Sequence, residues 1–456
     1  MSKTKVSKRK WLIIPIETKA RELYGKLLLS CYAAESGLGV IIGGKKATRG
    51  EQDKLPKGTF LEKSIPPGNS SGVVNNILSF NNKVSAVDEE GLVYMNKEHY
   101  FNRRINPDSF RKVDHFFTWG KKQADDIASL IESPEGKIVN SGNPRFDLLR
   151  PEFRDIYEKS AQQLKDKYGK IILINTSFWI FNNAGVGSDN RIKNAKNSGQ
   201  IKSKAQEEEW LRMSTLQEKV FHLMLDLLPN LSKEFPDHSI IIRPHPSENN
   251  QPWIDKCKDL PNVNMVHEKS ANDWIMASDV VIENNCTTSI EAFLLEKAAI
   301  TYRPEKDEEV EMKLPNGLGF HADNEIDLMD LMKKIINGEV KKPHDYEDQV
   351  SFVKEYIANV DGALASEVIT DTINRIELPV VGGEFPIKHK DSLKRFLRKI
   401  KNSIVPGEAE VYYRKKFPGI KLQEVEDIVE GFRELSGKFS ELKIIKITDD
   451  GFCIYK

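Results

Sequence analysis

Short apolar runs alternate with longer amphipathic segments along most of this chain. WLIIPIE (11–17), GVIIGG (39–44) and KVSAV (83–87) have the length and β-branched content of buried strands. Between the first two lies the stretch from Ala20 to Glu35, which has the pattern of a helix. Alternating strands and helices predict βαβ units built around a parallel sheet.

The alternation begins again after a charged connector, PEFRDIYEKSAQQLKDKYG (151–169). The strand-like runs that follow are KIILINTSF, HSIIIRPHP, NVNMVHE, SDVVIENN and AAITYRP, with helical segments between them. A polar insertion from about 182 to 206, rich in Asn, Gly, Ser and Lys, predicts a mobile loop. Two Rossmann-like halves, 1–155 and 156–377, are the simplest account of the pattern.

From Leu378 onward the alternation stops, and residues 378–456 are predicted to form a basic tail with a helix. Residues 388–401, KHKDSLKRFLRKIK, carry four apolar residues at helical spacing among seven Lys and Arg residues. This pattern is typical of a helix lying in a membrane interface, where anionic lipid attracts each basic residue by about 1 kcal/mol. Packing on the protein's own surface is the alternative. The apolar residues are Leu393, Phe396, Leu397 and Ile400.

Composition excludes several classes of partner. The 456 residues include 68 Lys plus Arg and 68 Asp plus Glu, so no overall charge recruits nucleic acid or membrane. No run reaches the roughly 18 apolar residues needed to span a bilayer, and no signal peptide is evident. The four cysteines have no metal-ligand or disulfide-framework spacing. We predict a cytoplasmic protein, peripheral at the inner face of the membrane through residues 388–401, that binds no nucleic acid and needs no metal or cofactor.

The isoleucine run of HSIIIRPHPSE (238–248) ends abruptly in polar residues. Arg243, His245, Ser247 and Glu248 follow it, and two prolines stiffen the exit. In open α/β sheets, ligands bind beyond the carboxyl ends of the strands. A guanidinium can bind phosphate through two hydrogen bonds, and an imidazole can donate a proton as phosphate leaves. We therefore predict that this strand end binds phosphate.

A second strand end of the same kind lies in SDVVIENNCTTSIEAFLLEK (278–297). Hydroxyls and free backbone N–H groups at the start of a helix favour anions. Two such strand ends in one half of the chain predict a nucleotide monophosphate or diphosphate site, which Ser177 approaches from the loop after KIILINT. The candidate donor-binding residues of the second strand end are Asn284, Asn285, Thr287, Thr288, Ser289 and Glu291.

The first half contributes acidic residues at a strand end. Asp88, Glu89 and Glu90 follow the strand KVSAV and precede Gly91. Adjacent acids at a strand end facing a cleft can supply a general base, whose pKa the neighbouring charges tune. In SGNPRFDLL (141–149), the residues Gly142, Asn143 and Arg145 are predicted to approach the same cleft.

These features together resemble a known set of motifs. An acid-acid-Gly turn in the first half, His-Pro in the second and a Thr/Ser pair after it resemble GT-B sialyltransferases and related transferases of CMP-activated ulosonic acids. RPHPSE, NNCTTSIEAFLLEK, TYRP and SGNPRFDLL also resemble bacterial lipopolysaccharide and capsule biosynthesis proteins, and the resemblance covers roughly residues 10–375. It implies a GT-B-like α/β fold, in which an N-terminal acceptor domain and a C-terminal donor domain face a central cleft.

The resemblance also implies roles for particular residues. Glu89 would deprotonate the acceptor hydroxyl, His245 would assist departure of the CMP phosphate, and Thr288 with Ser289 would hold that phosphate. The choice of base stays open among Asp88, Glu89 and Glu90, because the triplet allows a second register.

The leading functional hypothesis is a glycosyltransferase that moves an ulosonic acid, such as a sialic acid, another nonulosonate or Kdo, from CMP to a surface polysaccharide or lipopolysaccharide acceptor. A CDP-glycerol or CDP-ribitol phosphotransferase is an alternative that also releases CMP. A non-hydrolysing nucleotide-sugar epimerase is a third, since it shares the predicted two-domain layout and the His-Pro pair.

Overall fold

The computed structural model describes residues 4–456, apart from 133, 135, 186, 387–413 and 415. The chain folds into two compact units. The first comprises Met1–Leu92, Lys97–Ile156 and Lys354–Lys456, and the second comprises Val93–Asn96 and Tyr157–Val353. Each unit contains a largely parallel sheet flanked by helices, so the predicted α/β fold class with two Rossmann-like domains is confirmed.

Strands and helices alternate through the first 156 residues, as predicted. The elements there are β1 (Thr4–Arg9), β2 (Trp11–Ile16), α1 (Lys19–Glu35), β3 (Gly39–Gly44), β4 (Thr59–Glu62), α2 (Ser70–Ser79), β5 (Lys83–Val87), α3 (Lys97–Arg104), α4 (Pro107–Lys112), β6 (Phe116–Thr118), α5 (Lys121–Ala128), β7 (Ile138–Asn140) and α6 (Pro144–Asp147).

The same alternation continues to residue 356. The elements are α7 (Glu158–Tyr168), β8 (Lys170–Asn175), α8 (Gly187–Asn197), α9 (Lys204–Glu234), β9 (His238–Arg243), α10 (Gln251–Cys257), β10 (Val263–Met265), α11 (Ala271–Ala277), β11 (Val280–Glu283), α12 (Thr288–Leu294), β12 (Ala299–Tyr302), α13 (Lys313–Asn316), β13 (Phe320–Ala322), α14 (Glu325–Ile336) and α15 (Tyr346–Tyr356).

After α15 the chain returns to the first unit. The remaining elements are α16 (Ala365–Asn374), β14 (Val381–Phe385), α17 (Leu422–Ser436), β15 (Lys443–Thr448) and β16 (Gly451–Tyr455).

The sheet of the first unit has the order β15-β16-β3-β2-β4-β5-β6-β7. The strands from β3 to β7 run parallel, whereas β16 pairs antiparallel with β3 and β15 pairs antiparallel with β16. Every residue of β2 and β3 is buried. Their nearly uninterrupted apolar sequences therefore reflect strands that are covered on both faces.

The sheet of the second unit is wholly parallel, with the order β10-β9-β8-β11-β12-β13. The chain runs outward from β8 to β10 on one side and then crosses back to β11 and continues to β13. This is the doubly wound order of dinucleotide-binding folds, and its direction reverses between β8 and β11. Ligands of such sheets bind outside the carboxyl ends of the strands at the point of reversal.

The predicted helical tail is in large part a component of the first sheet. β15 and β16 extend that sheet, and Phe452, Cys453 and Ile454 of β16 are fully buried. β14 pairs with β1, and α17 buries Val429 and Phe432. The two apolar segments on either side of Asp450 therefore form a hairpin, in a region where a basic tail was predicted. The predicted interfacial segment 388–401 lies outside the described residues.

The predicted mobile insertion, about 182–206, is also ordered differently from the expectation. It contains α8 and the start of α9, and Ile192, Ala195 and Ile201 are buried in a small apolar cluster with Trp210. The packing of these apolar side chains stabilises a helix in a segment that is otherwise polar. Among the described residues, no helix is long and apolar enough to cross a membrane.

Candidate functional site

The carboxyl ends of three neighbouring strands in the second unit are in register. Arg243 of β9 lies opposite Asn175 of β8, which lies opposite Glu283 of β11. The loops that leave these strands therefore start from one edge of the sheet. This edge contains the reversal point between β8 and β11, so the topology and the polar sequence motifs indicate the same place.

A small cavity marks the reversal point. Ser177, which follows β8, lines it together with Asn284 and Asn285, which follow β11, and with Tyr302 and Arg303 at the end of β12. Its volume of about 20 Å³ has room for about one water molecule. The cavity thus brings together three of the predicted donor-binding residues, although it is not itself large enough for a nucleotide.

The two asparagines of the cavity have different environments. The Asn284 side chain is buried, and its Oδ1 has no hydrogen-bond partner among the described residues. Asn285 has a left-handed backbone, with φ of 49°, and its Oδ1 accepts a hydrogen bond of 2.7 Å from the Met312 N–H. Asn285 therefore shapes the turn, whereas Asn284 retains an unused buried acceptor.

Arg243 is a half-buried cation at the end of β9. Its guanidinium lies 5.9 Å from the centre of the Trp274 ring, and its Nη2 donates a hydrogen bond of 3.1 Å to the Lys269 carbonyl oxygen. Its buried Nε–H has no hydrogen-bond partner among the described residues. Desolvation lowers the pKa of Arg243 to about 10, against the opposing effect of Asp273. The side chain therefore remains charged at neutral pH and has an uncommitted donor.

His245 is fixed in one tautomer by its neighbour. The Ser247 N–H donates a hydrogen bond of 3.2 Å to His245 Nδ1, and Ser247 Oγ lies 2.7 Å from the same nitrogen. Nδ1 is therefore an acceptor, and the neutral ring carries its proton on Nε2. The ring is exposed to solvent, yet surrounding protein atoms desolvate it enough to lower the pKa of His245. At neutral pH, His245 is thus a neutral Nε2–H donor.

Glu248 joins the loops after β8 and β9. Its buried Oε1 accepts hydrogen bonds from Thr176 Oγ1 (2.8 Å), the Phe178 N–H (3.0 Å) and the His245 N–H (3.0 Å). Its Oε2 lies 3.4 Å from two further donors, Asn182 Nδ2 and Trp253 Nε1. The structure therefore places this predicted donor-binding residue inside the protein, where it positions His245.

The first two residues of α12, Thr288 and Ser289, direct their hydroxyls towards the protein. Thr287 is exposed, but Thr288 Oγ1 lies 3.2 Å from Cys286 Sγ, and the buried Ser289 Oγ lies 3.0 Å from two carbonyl oxygens, those of Cys286 and Pro315. Glu291 is also buried. α12 itself has seven residues. The hydroxyls of Thr288 and Ser289 therefore stabilise the turn and are not turned towards the solvent.

Glu283 is a residue of this edge that the motif comparison missed. It is fully buried and accepts hydrogen bonds from the Cys286 N–H (2.8 Å) and from Thr301 Oγ1. Burial raises the pKa of Glu283 to about 7, against the lowering effects of Thr301, Cys286 and Arg303. The signal in the sequence is a single carboxylate that closes the otherwise apolar strand VVIE.

Glu283 should make the stability of the protein fall as the pH rises from about 4.5 to about 7. In that window the folded chain holds a proton that the unfolded chain has lost, so rising pH favours unfolding. The stabilisation that protonated Glu283 provides is fully present below its unfolded pKa of about 4.5, and it is lost above its folded pKa of about 7. Glu283→Gln keeps an acceptor for the Cys286 N–H and should remove this component. Denaturant titrations of both proteins across this range check it, and a stability difference that is constant with pH contradicts it.

The acids of the first unit differ in their pairing. Asp88 is buried, forms an ion pair with Arg104, and accepts a hydrogen bond of 3.0 Å from the Tyr100 hydroxyl. Glu90 lies 2.9 Å from both Arg104 and Arg21. Burial tends to raise the pKa of Glu90, but Arg104 and Arg21 outweigh it and lower the pKa to about 2. Asp88 and Glu90 are therefore committed to arginines.

Glu89 has looser partners than its two neighbours. Its buried carboxylate lies 3.8 Å from Lys26 Nζ and 3.4 Å from Asn143 Nδ2. Lys26 is itself held at 2.8 Å by both Glu22 and the Pro15 carbonyl oxygen. Of the three acids, Glu89 is thus the one whose oxygens are least engaged by protein donors.

The predicted cleft residues lie in a buried turn of the first unit. Gly142 has φ of 79°, and a Cβ there would come within 2.0 Å of Asn359 Oδ1. Asn143 is fully buried and caps α6, while its Nδ2 points at Glu89. Arg145 is half-buried, and its Nη1 lies 3.4 Å from the Glu89 carbonyl oxygen. Asn143 and Arg145 of this turn therefore contact Glu89, and most of the turn is inaccessible to solvent.

Comparisons with known proteins give no family. No family model matches the sequence, and no curated protein matches it. Among solved structures, the fold is similar to that of the wall teichoic acid polymerase TagF, with 13% identity over 80% of this chain and 88% of that chain and a TM-score of 0.48. It is also similar to the UDP-GlcNAc 2-epimerase from Neisseria meningitidis bound to UDP-GlcNAc, with 14% identity over 81% and 100% of the two chains and a TM-score of 0.45. At these scores, the likenesses say nothing about the substrate of this protein.

Proposed function

We propose that the protein is a transferase that binds a nucleotide-activated donor at the carboxyl edge of the second sheet and releases CMP. The observation that carries the proposal is the cavity of Ser177 and Asn284 at the reversal point between β8 and β11. Arg243 and His245 leave the neighbouring strand β9 at the same edge. A phosphate accepts hydrogen bonds only, and this edge offers it an uncommitted Arg243 Nε–H and the Nε2–H of His245.

The tautomer of His245 defines its part in the reaction. The bond between the transferred group and the CMP phosphate oxygen breaks, and that oxygen gains negative charge. A neutral Nε2–H can stabilise this charge by hydrogen bonding without giving up its proton. His245 is therefore proposed as a hydrogen-bond donor to the leaving phosphate, which modifies the proton donation inferred from the motifs.

We propose a CDP-polyol, such as CDP-glycerol or CDP-ribitol, as the donor, and a surface glycan as the acceptor. Arg243 of β9 and Asn284 after β11 belong to strands separated by β8, which places their strands roughly 10 Å apart. That separation leaves room at this edge for a donor that carries a second phosphate beside the CMP phosphate. A CMP-activated ulosonic acid, which carries a carboxylate beside its one phosphate, is the second candidate because of the motif resemblance. The epimerase hypothesis requires a uridine nucleotide instead.

In the first unit, we propose Glu89 as the base that accepts the proton of the acceptor hydroxyl. Asp88 forms an ion pair with Arg104, and the arginines beside Glu90 lower the pKa of Glu90 to about 2, which makes Glu90 a weak base. Among the described residues, the cation that pairs with the Glu89 carboxylate is Lys26, at 3.8 Å, and its hydrogen-bond donor is Asn143 Nδ2, at 3.4 Å.

Calorimetric titration with CMP, CDP, UDP and GDP in the presence of EDTA tests the donor assignment. We expect the cytidine nucleotides to bind and CDP to bind more tightly than CMP. Arg243→Gln should weaken both by about tenfold or more, since hydrogen bonds to charged groups contribute about 1.5–3 kcal/mol. The matched control is Lys333→Gln, which removes the same charge from an exposed ion pair with Glu234. Preferential binding of UDP, or loss of binding in EDTA, contradicts the assignment.

A further inference from the structure

Helix α8, in the insertion at about 182–206, carries Arg191, which has no role in the reaction proposed above. Arg191 of α8 lies over two tryptophans, with its guanidinium 5.5 Å from the centre of the Trp179 ring and 5.1 Å from that of Trp210. The two indoles meet edge to face at 5.4 Å. Contacts with two indole rings restrict the position of the guanidinium.

In the part of the chain that the structure describes, no carboxylate neutralises this cation. Among the described residues, the Arg191 side chain has neither a hydrogen bond nor an ion pair, and its cation–π contacts are with the two rings. It is half-buried, and desolvation lowers its pKa from the ordinary value of 12.5. A partly desolvated guanidinium without an anion is unfavourable, and cation–π contact offsets the cost only in part. An anionic ligand would supply the missing partner.

Arg191 belongs to a cluster that adjoins the candidate donor cavity. Trp179 follows Ser177 by two residues in the loop after β8. Met213 packs in the same apolar cluster as Trp210, and it also lines the cavity. Met312 packs against this cluster, and its N–H holds Asn285. The tryptophans that contact the guanidinium therefore belong to an apolar cluster that includes Met213, a residue lining the cavity.

We propose that Arg191 forms a second anion subsite, which binds the anionic group that the donor carries in addition to its CMP phosphate. This proposal rests on the proposed function and adds a substrate class to it. The group is the second phosphate of a CDP-polyol or the carboxylate of a CMP-ulosonate, because a planar guanidinium binds either through two parallel hydrogen bonds. A donor with CMP alone leaves this subsite empty.

Tryptophan fluorescence titrations test the subsite, because Trp179 and Trp210 contact the cation directly. The probes are CMP, CDP, CMP-N-acetylneuraminate and inorganic pyrophosphate. We expect Arg191→Gln to weaken the binding of CDP, or of CMP-N-acetylneuraminate, by about tenfold while CMP affinity is unchanged. Arg191→Lys should retain part of the affinity. The matched control is Lys193→Gln, an exposed position on the same helix, which should behave as the wild type.

The outcomes separate this proposal from the proposed function. Equal weakening of CMP and CDP in Arg191→Gln, or no weakening of any probe, overturns the subsite. If the wild type does not bind CMP, the proposed function fails. In that case, a fluorescence response to pyrophosphate that Arg191→Gln abolishes still supports an anion site, and the lack of any response to pyrophosphate overturns it. Thermal melting of each variant identifies any that are misfolded, and Arg191→Lys then provides the comparison.

Discussion

Glu89→Gln should lower turnover by about 10²–10⁴-fold, which is the usual effect of removing a positioned base. The substitution removes the proton acceptor but keeps the shape of the side chain. Lys26 retains its 2.8 Å contacts with Glu22 and the Pro15 carbonyl oxygen, so the buried cation is not left unpaired. Donor binding should be unchanged, because the proposed nucleotide site lies in the second unit. Steady-state kinetics with a soluble acceptor fragment, together with donor calorimetry, provide the measurement.

Glu90→Gln is the matched comparison for this prediction. It removes the same charge one residue away, from a carboxylate that Arg21 and Arg104 hold in its ionised form. Its effect on turnover should be much smaller than that of Glu89→Gln. If Glu90→Gln is the slower enzyme, the role of base passes to Glu90. If both variants retain full activity at wild-type stability, neither acid accepts the proton.

The sequence predicts the alternation of strands and helices well, because apolar periodicity reports which faces are buried. WLIIPI and GVIIGG are strands buried on both faces, as their composition indicates. Only tertiary pairing, however, shows that the second sheet reverses between β8 and β11. Ligands of doubly wound sheets bind at such a reversal, so the strand order supports a candidate site at strand ends that the motifs indicate only by resemblance.

The structure differs from the sequence prediction in two segments, the insertion at about 182–206 and the C-terminal tail, for different physical reasons. Helix α8 has a polar composition, and its helicity depends on burying Ile192 and Ala195 against residues distant in sequence, such as Trp210. The hairpin of β15 and β16 did have a local signal, since Asp450-Gly451 stands between two apolar runs and is a favoured turn pair. The basic residues earlier in the tail, at 388–401, favour a different interpretation, that of a basic tail with an interfacial helix.

The candidate site shows a further limit of motif comparison. Glu248 and Ser289 have residue types that bind phosphates or sugars, yet the fold turns both towards protein donors and acceptors. A carboxylate's direction depends on where neighbouring loops place their N–H groups, and those loops meet only in the folded chain. Arg191 illustrates the converse, because its proposed role depends on two tryptophans that are 31 residues apart in the sequence.

A chain that ends at residue 416 should fail to fold its first unit. It lacks α17, β15 and β16, and so exposes the edge of β3, with which β16 pairs through four residues from Gly451 to Ile454. Removal of buried Phe432, Phe452 and Ile454 costs about 1.5–3 kcal/mol for each side chain. Together with the remaining contacts of the three elements, this loss approaches the whole stability of about 5–15 kcal/mol that is typical of a domain.

Thermal melting and circular dichroism of this truncated chain measure the effect, and an internal deletion of residues 388–401 is the control. The deletion keeps α17 to β16, so we expect it to melt like the wild type. Any loss of binding to anionic liposomes in the deletion variant then reports on the proposed interfacial segment alone. A truncated chain that melts cooperatively with wild-type secondary structure would contradict this expectation. It would show that the first unit folds without β15 and β16, as the prediction of a basic tail for 378–456 implies.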